Sequence, residues 1–351
     1  SRTLSGTKEL KPRWKRALSM IERAMGEALG QMYVARHFPA EAKDRALDIV
    51  NRVKEALQRK LAELPWLQES TRESALEKMQ AFGLKIGYPE EWIDYSSLEV
   101  VRGRHLDNIF RARAFELRRT IDFMGKPTDR SRWLMLPQTV NAYHYPENNE
   151  IVFPAAILQP PFFNLDADDA VNYAGMGAVT GHEMTHAFDD KGRKYDKNGN
   201  LRDWWTEEDA AEYERRSAIV VSQAEEFTVY GTKLNGKLTC GENTADLGGL
   251  KLALDALEDV YSARGEALEG EAAVLKGGFT PLQRFFLSWA QVWRDNAMKE
   301  HALKMVTLDP HGPHELRVNG PLSNMPAFHS AFAVTEGQGM WRAHEQRVDI
   351  W

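Results

Sequence analysis

The stretch VTGHEMTHAFDDKG, residues 179–192, contains two histidines four positions apart with an acid next to the first. A helix advances roughly 100° per residue, so His182 and His186 lie nearly one above the other on one face and can bind one metal ion. Glu183 would lie at the edge of the same site, where it could act as a general base for water without being a ligand. The stretch therefore predicts a metal site on a helix, provided that the chain supplies a third ligand.

The stretch GENTADLGG, residues 241–249, supplies that third ligand. A catalytic zinc site uses three protein ligands and leaves one position open, and His, His and Glu form one standard set. Glu242 follows His186 by 56 positions (242 − 186) and lies at the start of a predicted helix. Asp246, four residues further along the same helical face, can accept a hydrogen bond from the outer ring nitrogen of a ligand histidine. An isolated H-E-x-x-H also occurs by chance, but both motifs in this order favour a metal site.

Composition excludes several classes of protein. The chain has 351 residues, 43% hydrophobic and 27% charged, which is ordinary for a folded globular protein. Its formal net charge is −6 and no block of basic residues occurs, so nucleic acid is not an expected partner. No apolar run approaches the ~20 residues of a membrane span, and the first residues lack the apolar region of a signal peptide.

Cys240 is the only cysteine, which excludes an intrachain disulfide framework. A lone cysteine is typically a small buried apolar residue, and no cysteine-protease signature surrounds this one. We expect a soluble protein, with the bacterial cytoplasm favoured and a periplasmic or secreted location left open.

The sequence also has no G-x-S-x-G motif and no Walker loop, and the turn-rich stretch DDKGRKYDKNGN (189–200) fails the EF-hand pattern.

Apolar periodicity predicts a mainly helical chain with a short β-rich region. Two β-rich patches, 133–145 and 150–153, are separated by the turn-like PENN and predict either a hairpin or edge strand to which an extended peptide could add, or a plain two-stranded core element; the pattern alone does not distinguish them. Ser70 with Glu73, and Thr206 with Asp209, have the spacing of helix N-caps. Helices are predicted over residues 13–36, 40–64, 70–82, 98–124, 168–188, 206–227, 243–264 and 281–302.

Five segments, in order along the chain, resemble the neprilysin (M13) family of zinc endopeptidases. They are VNAYHYPENNEIVFPAAILQPPFF (140–163), GHEMTHAFDDKGR (181–193), GENTADLGGL (241–250), FFLSWAQVW (285–293) and DPHGPHELRVNG (309–320). The similarity extends from residue 13 through KIGYPEEW (85–92) to the final Trp351. It implies a thermolysin-like zincin (gluzincin) catalytic lobe, mainly α with a small mixed β-sheet. We expect a helical segment, residues 1–126, that packs on a zinc catalytic domain, residues 127–351.

The resemblance assigns roles to individual positions. It implies one Zn²⁺ held by His182, His186 and Glu242, with Glu183 as the general base and His311 as a second catalytic residue that stabilises the transition state. Asp189 and Asp246 would be the acids behind the histidines. The remaining assignments concern the substrate: Asn141 and Ala142 would bind its backbone, Arg317 a carbonyl, and an apolar pocket after the scissile bond would be formed by Ile157, Phe162, Val179, Val292 and Trp293.

The chain departs from the family in length, in its ending VDIW and in the segment NAMKEHAL (296–303). Family ectodomains are about twice as long, and their amino-terminal half forms a lid that is absent from this sequence. We therefore expect a second protein chain that supplies the lid and the remaining helices of the catalytic lobe, or a longer precursor. The ending without a C-x-x-W cysteine is typical of a bacterial member. The segment 296–303 lacks the arginine-containing pattern common there in the family, so one contact on the primed side of the substrate is not assigned.

The sequence thus predicts a zinc endopeptidase that cleaves oligopeptides before an apolar residue, as one subunit of a split or nicked enzyme. Two alternatives stay open. The chain could be a catalytically silent scaffold subunit whose zinc is structural, or a maturation peptidase for one specific peptide. The intact set of ligands, base, His311 and Arg317 favours the peptidase over the scaffold.

Overall fold

The structure is a computed structural model that describes residues 2–351. Most of these residues lie in helices, and none of the described helices combines the length and the apolar character that crossing a membrane requires. The α-helices are α1 (Arg2–Ser5), α2 (Arg13–His37), α3 (Ala40–Glu63), α4 (Glu69–Gln80), α5 (His105–Ile121), α6 (Asp169–Asn172), α7 (Ala178–Thr185), α8 (Glu207–Ala224), α9 (Gly236–Ala263), α10 (Pro281–Val292), α11 (Lys299–Leu308), α12 (His314–Ser323) and α13 (Pro326–Phe332).

A small mixed sheet accompanies the helices, as predicted. Its strands are β1 (Gly83–Gly87), β2 (Tyr143–Tyr145) and β3 (Glu150–Pro154), in the order β1-β3-β2. Strand β3 pairs parallel with β1 and antiparallel with β2, which confirms the predicted hairpin and leaves β2 at the edge. A separate hairpin consists of β4 (Thr228–Val229) and β5 (Thr232–Lys233). Strand β1 was not predicted, because Gly87, Tyr88 and Pro89 at its end are typical of a turn.

One hydrophobic core joins the two segments predicted from the sequence. It contains Ile49 and Leu57 of α3 together with Leu250 and Leu257 of α9, all fully buried, and Phe286 of α10. The sheet also joins residues from before and after position 127, because β1 pairs with β3. Helices α3 and α4, which precede residue 127, therefore form part of the same packed body as the metal-site helices.

Several helix boundaries differ from the sequence-based prediction, including the start of α5 at His105 rather than 98 and the start of α9 at Gly236 rather than 243. The predicted cap at Ser70 is wrong, since α4 begins at Glu69 after Gln68 and has no side-chain cap. The cap at Thr206 is confirmed, because its side chain accepts a hydrogen bond from the Asp209 amide at 3.1 Å. The helix predicted over 281–302 is two helices, α10 and α11, separated by residues 293–298.

The run 168–188 is helical, as predicted, but it is not a uniform α-helix. Between α6 and α7 the chain forms a π-helix at Tyr173–Gly177, and a 3₁₀ turn at His186–Phe188 follows α7. The Met176 amide donates to the Phe162 carbonyl at 2.8 Å, and a Cβ at Gly175 would collide with that same carbonyl oxygen. The π-helix thus allows the loop that contains Phe162 to pack against the chain directly before α7. Such π-helical turns often occur at functional sites.

Helices α7 and α9 pack with their backbones in contact. A Cβ added to Gly181 would lie 2.8 Å from the Gly249 Cα, and one added to Gly249 would lie 2.6 Å from the His182 amide nitrogen. Real Cβ atoms do not approach backbone this closely, so both positions require glycine. This approach places the helix that carries the H-E-x-x-H motif against the helix that carries Glu242.

We predict that Gly249→Ala destabilises the protein towards the upper end of the about 1–3 kcal/mol typical of overpacking, because the atoms in its way are backbone. The measurement is urea unfolding followed by circular dichroism. Gly339→Ala is the matched control: nothing lies within 4 Å of its Cβ, so a change within about 0.5 kcal/mol is expected. Equal stability of the two variants would contradict the proposed packing constraint.

Cys240 lies inside the molecule with 6% of its surface exposed, in agreement with the sequence-based prediction of a buried thiol. Burial, followed by the negative charge of Asp190, raises the pKa of the Cys240 thiol to about 11. Since the thiolate is the reactive form, a raised pKa and a buried sulfur both slow modification.

We therefore predict that a thiol reagent such as Ellman's reagent modifies the native protein very slowly at about pH 8, where the thiol stays protonated. The same reagent should modify one thiol per chain once the protein is unfolded in guanidinium chloride. Rapid stoichiometric reaction of the native protein would show that Cys240 is accessible and would contradict the structure.

Candidate active site

Three side chains from two helices converge at one point. The Nε2 atoms of His182 and His186 lie 3.0 Å apart, and the Oε2 atom of Glu242 lies 3.2 Å from the first and 3.5 Å from the second. They form the one cluster of potential metal ligands found among the described residues. The histidines come from α7 and the turn that follows it, and Glu242 comes from α9.

The geometry fits a zinc ion. Zinc bonds of roughly 2.0–2.2 Å in tetrahedral geometry place ligand atoms about 3.3–3.5 Å from one another, close to the three separations observed. The Oε2 atom of Glu242 is buried and has no hydrogen-bond donor in acceptable geometry, although His182 Nε2 is only 3.2 Å away. A buried carboxylate oxygen without a donor is costly unless a cation binds it. The donor set His, His and Glu is also the one that zinc peptidase sites use.

Asp246 supports the first histidine. Its Oδ1 atom lies 2.8 Å from His182 Nδ1, and the Arg317 guanidinium donates to both carboxylate oxygens at 2.7 and 2.8 Å. Burial alone would raise the pKa of Asp246, but the Arg317 charge and then His182 outweigh it and hold that pKa below its usual value. The ionised Asp246 therefore fixes the His182 ring with Nε2 directed at the ligand cluster.

Asp189 supports the second histidine in a different way. Its Oδ2 atom lies 2.7 Å from His186 Nδ1, while its Oδ1 atom accepts hydrogen bonds from the amides of Lys191 and Gly192 at 2.8 and 2.7 Å. Burial opposes ionisation, but the His186 interaction and these two amides keep the pKa of Asp189 below its usual value. The acid thus links the ligand to the backbone of the loop that follows it.

The two remaining catalytic candidates, Glu183 and His311, line the same cleft as the ligands. Glu183 is 7% exposed, lies on α7 next to His182, and lines the cleft above the ligands. His311 lies in the loop before α12, with its Nε2 3.3 Å from Glu242 Oε2 and its Nδ1 2.7 Å from Asp309 Oδ1. The Asp309 contact fixes the tautomer of His311 and turns Nε2 towards the cleft.

The cleft around the ligands has a volume of about 600 Å³ and contains most of the residues that the sequence singled out. Those that line it are Asn141, Ala142, Ile157, Phe162, Val179, His182, Glu183, His186, Glu242, Asp246, Trp293, His311 and Arg317. Asp189 lies behind His186, outside the lining. Val292 is not among the lining residues and packs partly buried against the core, whereas Trp289, one turn earlier on α10, does line the cleft.

The structure also brings to the site residues that the sequence did not indicate, among them Trp289 and His144. Trp289 is fully buried and its Nε1 donates to the Arg317 carbonyl at 3.0 Å. His144 lies on edge strand β2, lines the cleft, and has a buried Nε2 atom without a partner. Burial, then the nearby His186 and Lys78, keep the pKa of His144 well below its usual value, so this imidazole is neutral. The only sequence signal for His144 was its position shortly after Asn141 and Ala142.

Comparison with known proteins gives matches over nearly the whole chain. A model described as peptidase family M13 matches residues 141–348, and a second model with the same description matches residues 1–89. Endothelin-converting enzyme 1 of Bos taurus is 40% identical over 347 residues, which are 97% of this chain and 45% of that protein. Neprilysin-3 of Drosophila melanogaster is 36% identical over 346 residues, 96% of this chain and 43% of that protein.

The similarity extends to solved structures. The crystal structure of the Mycobacterium tuberculosis zinc metalloprotease ZMP1 with an inhibitor superposes with a TM-score of 0.93 at 43% identity, and covers 100% of this chain and 53% of that one. The PEPO structure from Lactobacillus rhamnosis has a TM-score of 0.87 at 32% identity, and covers 100% of this chain and 53% of that one. The chain spans about half the length of the relatives it matches, and its fold is that of a zincin metalloprotease lobe.

We predict that Asp246→Asn and Asp189→Asn each weaken zinc binding about 10- to 100-fold, because each acid orients one ligand histidine. Only Asp246→Asn should also destabilise the metal-free protein, by about 3 kcal/mol, since it leaves the buried Arg317 without its counter-charge. Chelator competition gives the zinc affinity, and urea unfolding of the metal-free protein gives the stability. Unchanged zinc affinity in both variants would contradict these roles.

Proposed function

The chain belongs to peptidase family M13, and on that basis we propose that it carries the catalytic centre of a zinc-dependent endopeptidase that hydrolyses oligopeptides. The convergence of His182, His186 and Glu242 within 3.5 Å of one another, with Glu183 beside them in a cleft, carries the proposal. We propose one zinc ion at this point. When bound, zinc supplies a Lewis acid that polarises the carbonyl oxygen of the scissile peptide bond and makes water more acidic.

Glu183 is proposed as the general base and acid. A carboxylate beside the ligands but outside the ligand set can accept a proton from the attacking water and then donate it to the leaving amine nitrogen. Glu183 directly follows His182 on α7, lines the cleft, and is not one of the three side chains whose potential ligand atoms cluster together. His311 donates its Nδ1–H to Asp309, and when the ring carries both protons its Nε2–H can donate to the negative charge that develops on the carbonyl oxygen.

The substrate backbone is proposed to bind along β2. This strand is at the edge of the sheet, so its outer backbone groups can pair with an extended peptide. Asn141 and Ala142 immediately precede β2 and line the cleft, where they can extend that pairing. Arg317 uses its Nε and one Nη for Asp246, and its other guanidinium hydrogens remain for a substrate carbonyl.

Preference for an apolar residue after the scissile bond follows from the cleft wall. Ile157, Phe162, Val179 and Trp293 line it, and a hydrophobic wall of this kind favours an apolar side chain because water is released on binding. The contact between the Phe162 carbonyl and the π-helix before α7 couples this wall to the helix that bears the ligands.

We also propose that further polypeptide, from a second chain or from elsewhere in the same one, covers part of this lobe. Helix α5 buries only Ala112, while Leu106, Phe110, Leu117 and Ile121 on one of its faces are each more than half exposed. An apolar stripe of this length is typical of a surface that packs against another protein segment. Size selection among peptides would then belong to the whole assembly.

We predict that Glu183→Gln abolishes at least about 99% of the peptidase activity while the zinc affinity stays at the wild-type value, because Gln cannot accept the proton. The measurement combines hydrolysis of quenched fluorescent peptides, with and without chelator, and zinc titration of the same preparation. His186→Ala is the contrasting variant and should lose zinc and activity together.

The peptide panel separates the alternatives. Chelator-sensitive cleavage of several unrelated peptides before apolar residues supports a general oligopeptidase, and cleavage of a single sequence supports a maturation enzyme. If the protein with any chain that copurifies with it binds zinc stoichiometrically but cleaves no peptide, the scaffold alternative replaces the proposal. Wild-type activity of Glu183→Gln would exclude Glu183 as the base.

A further inference from the structure

Lys78 on α4 is a lysine with no solvent exposure, although lysine is among the residues least often fully buried. Its Nζ atom donates to the carbonyl oxygens of Ala187, Gly192 and Tyr195 at 2.7, 2.9 and 2.7 Å. An ammonium group has three hydrogens, so each of them is used. All the hydrogen bonds of the Nζ atom therefore go to main-chain carbonyls of one segment, residues 187–195.

That segment begins one residue after the ligand His186 and contains Asp189, the acid that orients it. Asp189 Oδ1 accepts a hydrogen bond from the Gly192 amide, and Lys78 Nζ donates a hydrogen bond to the Gly192 carbonyl. Both backbone polar groups of Gly192 are thus bound, the amide by the Asp189 carboxylate and the carbonyl by the Lys78 ammonium. Gly192 itself fits only without a Cβ, since a Cβ would collide with the His186 carbonyl.

Three more contacts connect Lys78 to its surroundings. Its main-chain carbonyl accepts a hydrogen bond from Asn149 Nδ2 at 2.9 Å, and Asn149 lies in the turn between β2 and β3 with a φ of 52°. Its Nζ lies 5.4 Å from the Phe188 ring centroid and 5.7 Å from that of Trp204, distances at which an aromatic face attracts a cation. Lys78 therefore contacts the metal-site loop and the hairpin that carries the edge strand.

We infer that Lys78 is a positioning residue for the metal centre: its ammonium sets the course of the loop after α7, and through Asp189 it sets the orientation of His186. A compact ammonium suits three carbonyls arranged around one point, whereas the planar fork of arginine does not. The inference rests on the proposed function in one respect, namely that the ion bound at this site is zinc.

The competing explanation is that Lys78 only stabilises the fold. If Lys78 were purely structural, its replacement would lower the unfolding temperature of the protein without a specific effect on metal binding. Lys251 is a natural control, because it is a partly buried lysine whose Nζ donates to a carbonyl, that of Trp351 at 2.8 Å, and among the described residues it has no hydrogen bond to the loop at 187–195. The two lysines separate loss of a buried cation from loss of the loop contacts.

The experiment compares zinc affinity, by chelator competition, in wild type, Lys78→Met and Lys251→Met, each in its folded form with any chain that copurifies. Methionine keeps the approximate length and removes the donors. We expect Lys78→Met to weaken zinc binding about 10- to 100-fold, as loss of groups that orient a ligand does, and to shift the visible absorption of the cobalt-substituted protein. We expect Lys251→Met to leave both unchanged.

A double variant tests the route through Asp189. If Lys78 acts by holding the Asp189 loop, Lys78→Met with Asp189→Asn should weaken zinc binding by clearly less than the product of the two single effects. Should Lys78→Met fail to fold, Lys78→Arg takes its place: it keeps the charge but not the geometry, and weaker zinc binding with an altered cobalt spectrum is expected.

Three results would overturn the inference: wild-type zinc affinity in the Lys78 variant that folds, equal weakening in Lys251→Met, or multiplicative effects in the double variant. These outcomes are independent of peptide cleavage. If the wild-type protein binds zinc and cleaves no peptide, the proposed function fails, while the affinity comparison still determines whether Lys78 positions the metal centre.

Discussion

The backbone contact between α7 and α9 is the constraint on which the site depends. Gly181 and Gly249 face each other where a single Cβ would lie within 2.8 Å of backbone atoms. With side chains at these positions, the helices would separate, and Glu242 would no longer reach the two histidines. The distances of 3.2 and 3.5 Å between the glutamate and histidine atoms are thus a consequence of helix packing and not of any local motif.

Each ligand histidine is oriented by a buried acid, but the two acids are stabilised differently. Asp246 is paired directly with the Arg317 guanidinium in a two-bonded contact. Asp189 has no arginine or lysine in direct contact among the described residues. It accepts hydrogen bonds from two backbone amides of a loop whose carbonyls are in turn bound by the Lys78 ammonium. A buried carboxylate needs such compensation, since ionisation in a region of low dielectric is otherwise unfavourable. The result is two rings with fixed orientation before any metal binds.

Local sequence patterns predicted the helices well and the strands less well. Apolar periodicity located α2, α3 and α9 to within a few residues, except at the start of α9, which begins at Gly236 rather than 243. It missed β1, because that strand exists only through parallel pairing with β3, which joins Gly83 to Glu150. It also missed the π-helix, whose extra residue accommodates the Phe162 carbonyl from outside the helix. Both failures concern contacts between residues far apart in the sequence, which periodicity does not record.

The sequence by itself determined the donor atoms of the site. Four-residue spacing places His182 and His186 on one helical face, and the Glu242 to Asp246 spacing does the same on a second helix, because a helix has a fixed period. Only the tertiary structure determined that the two helices meet, that Arg317 lies against Asp246, and that Lys78, more than one hundred positions before the loop it binds, reaches three of its carbonyls. The physical reason is that helix geometry is local, whereas burial of a charge is satisfied by whichever groups the packed chain brings within hydrogen-bonding distance.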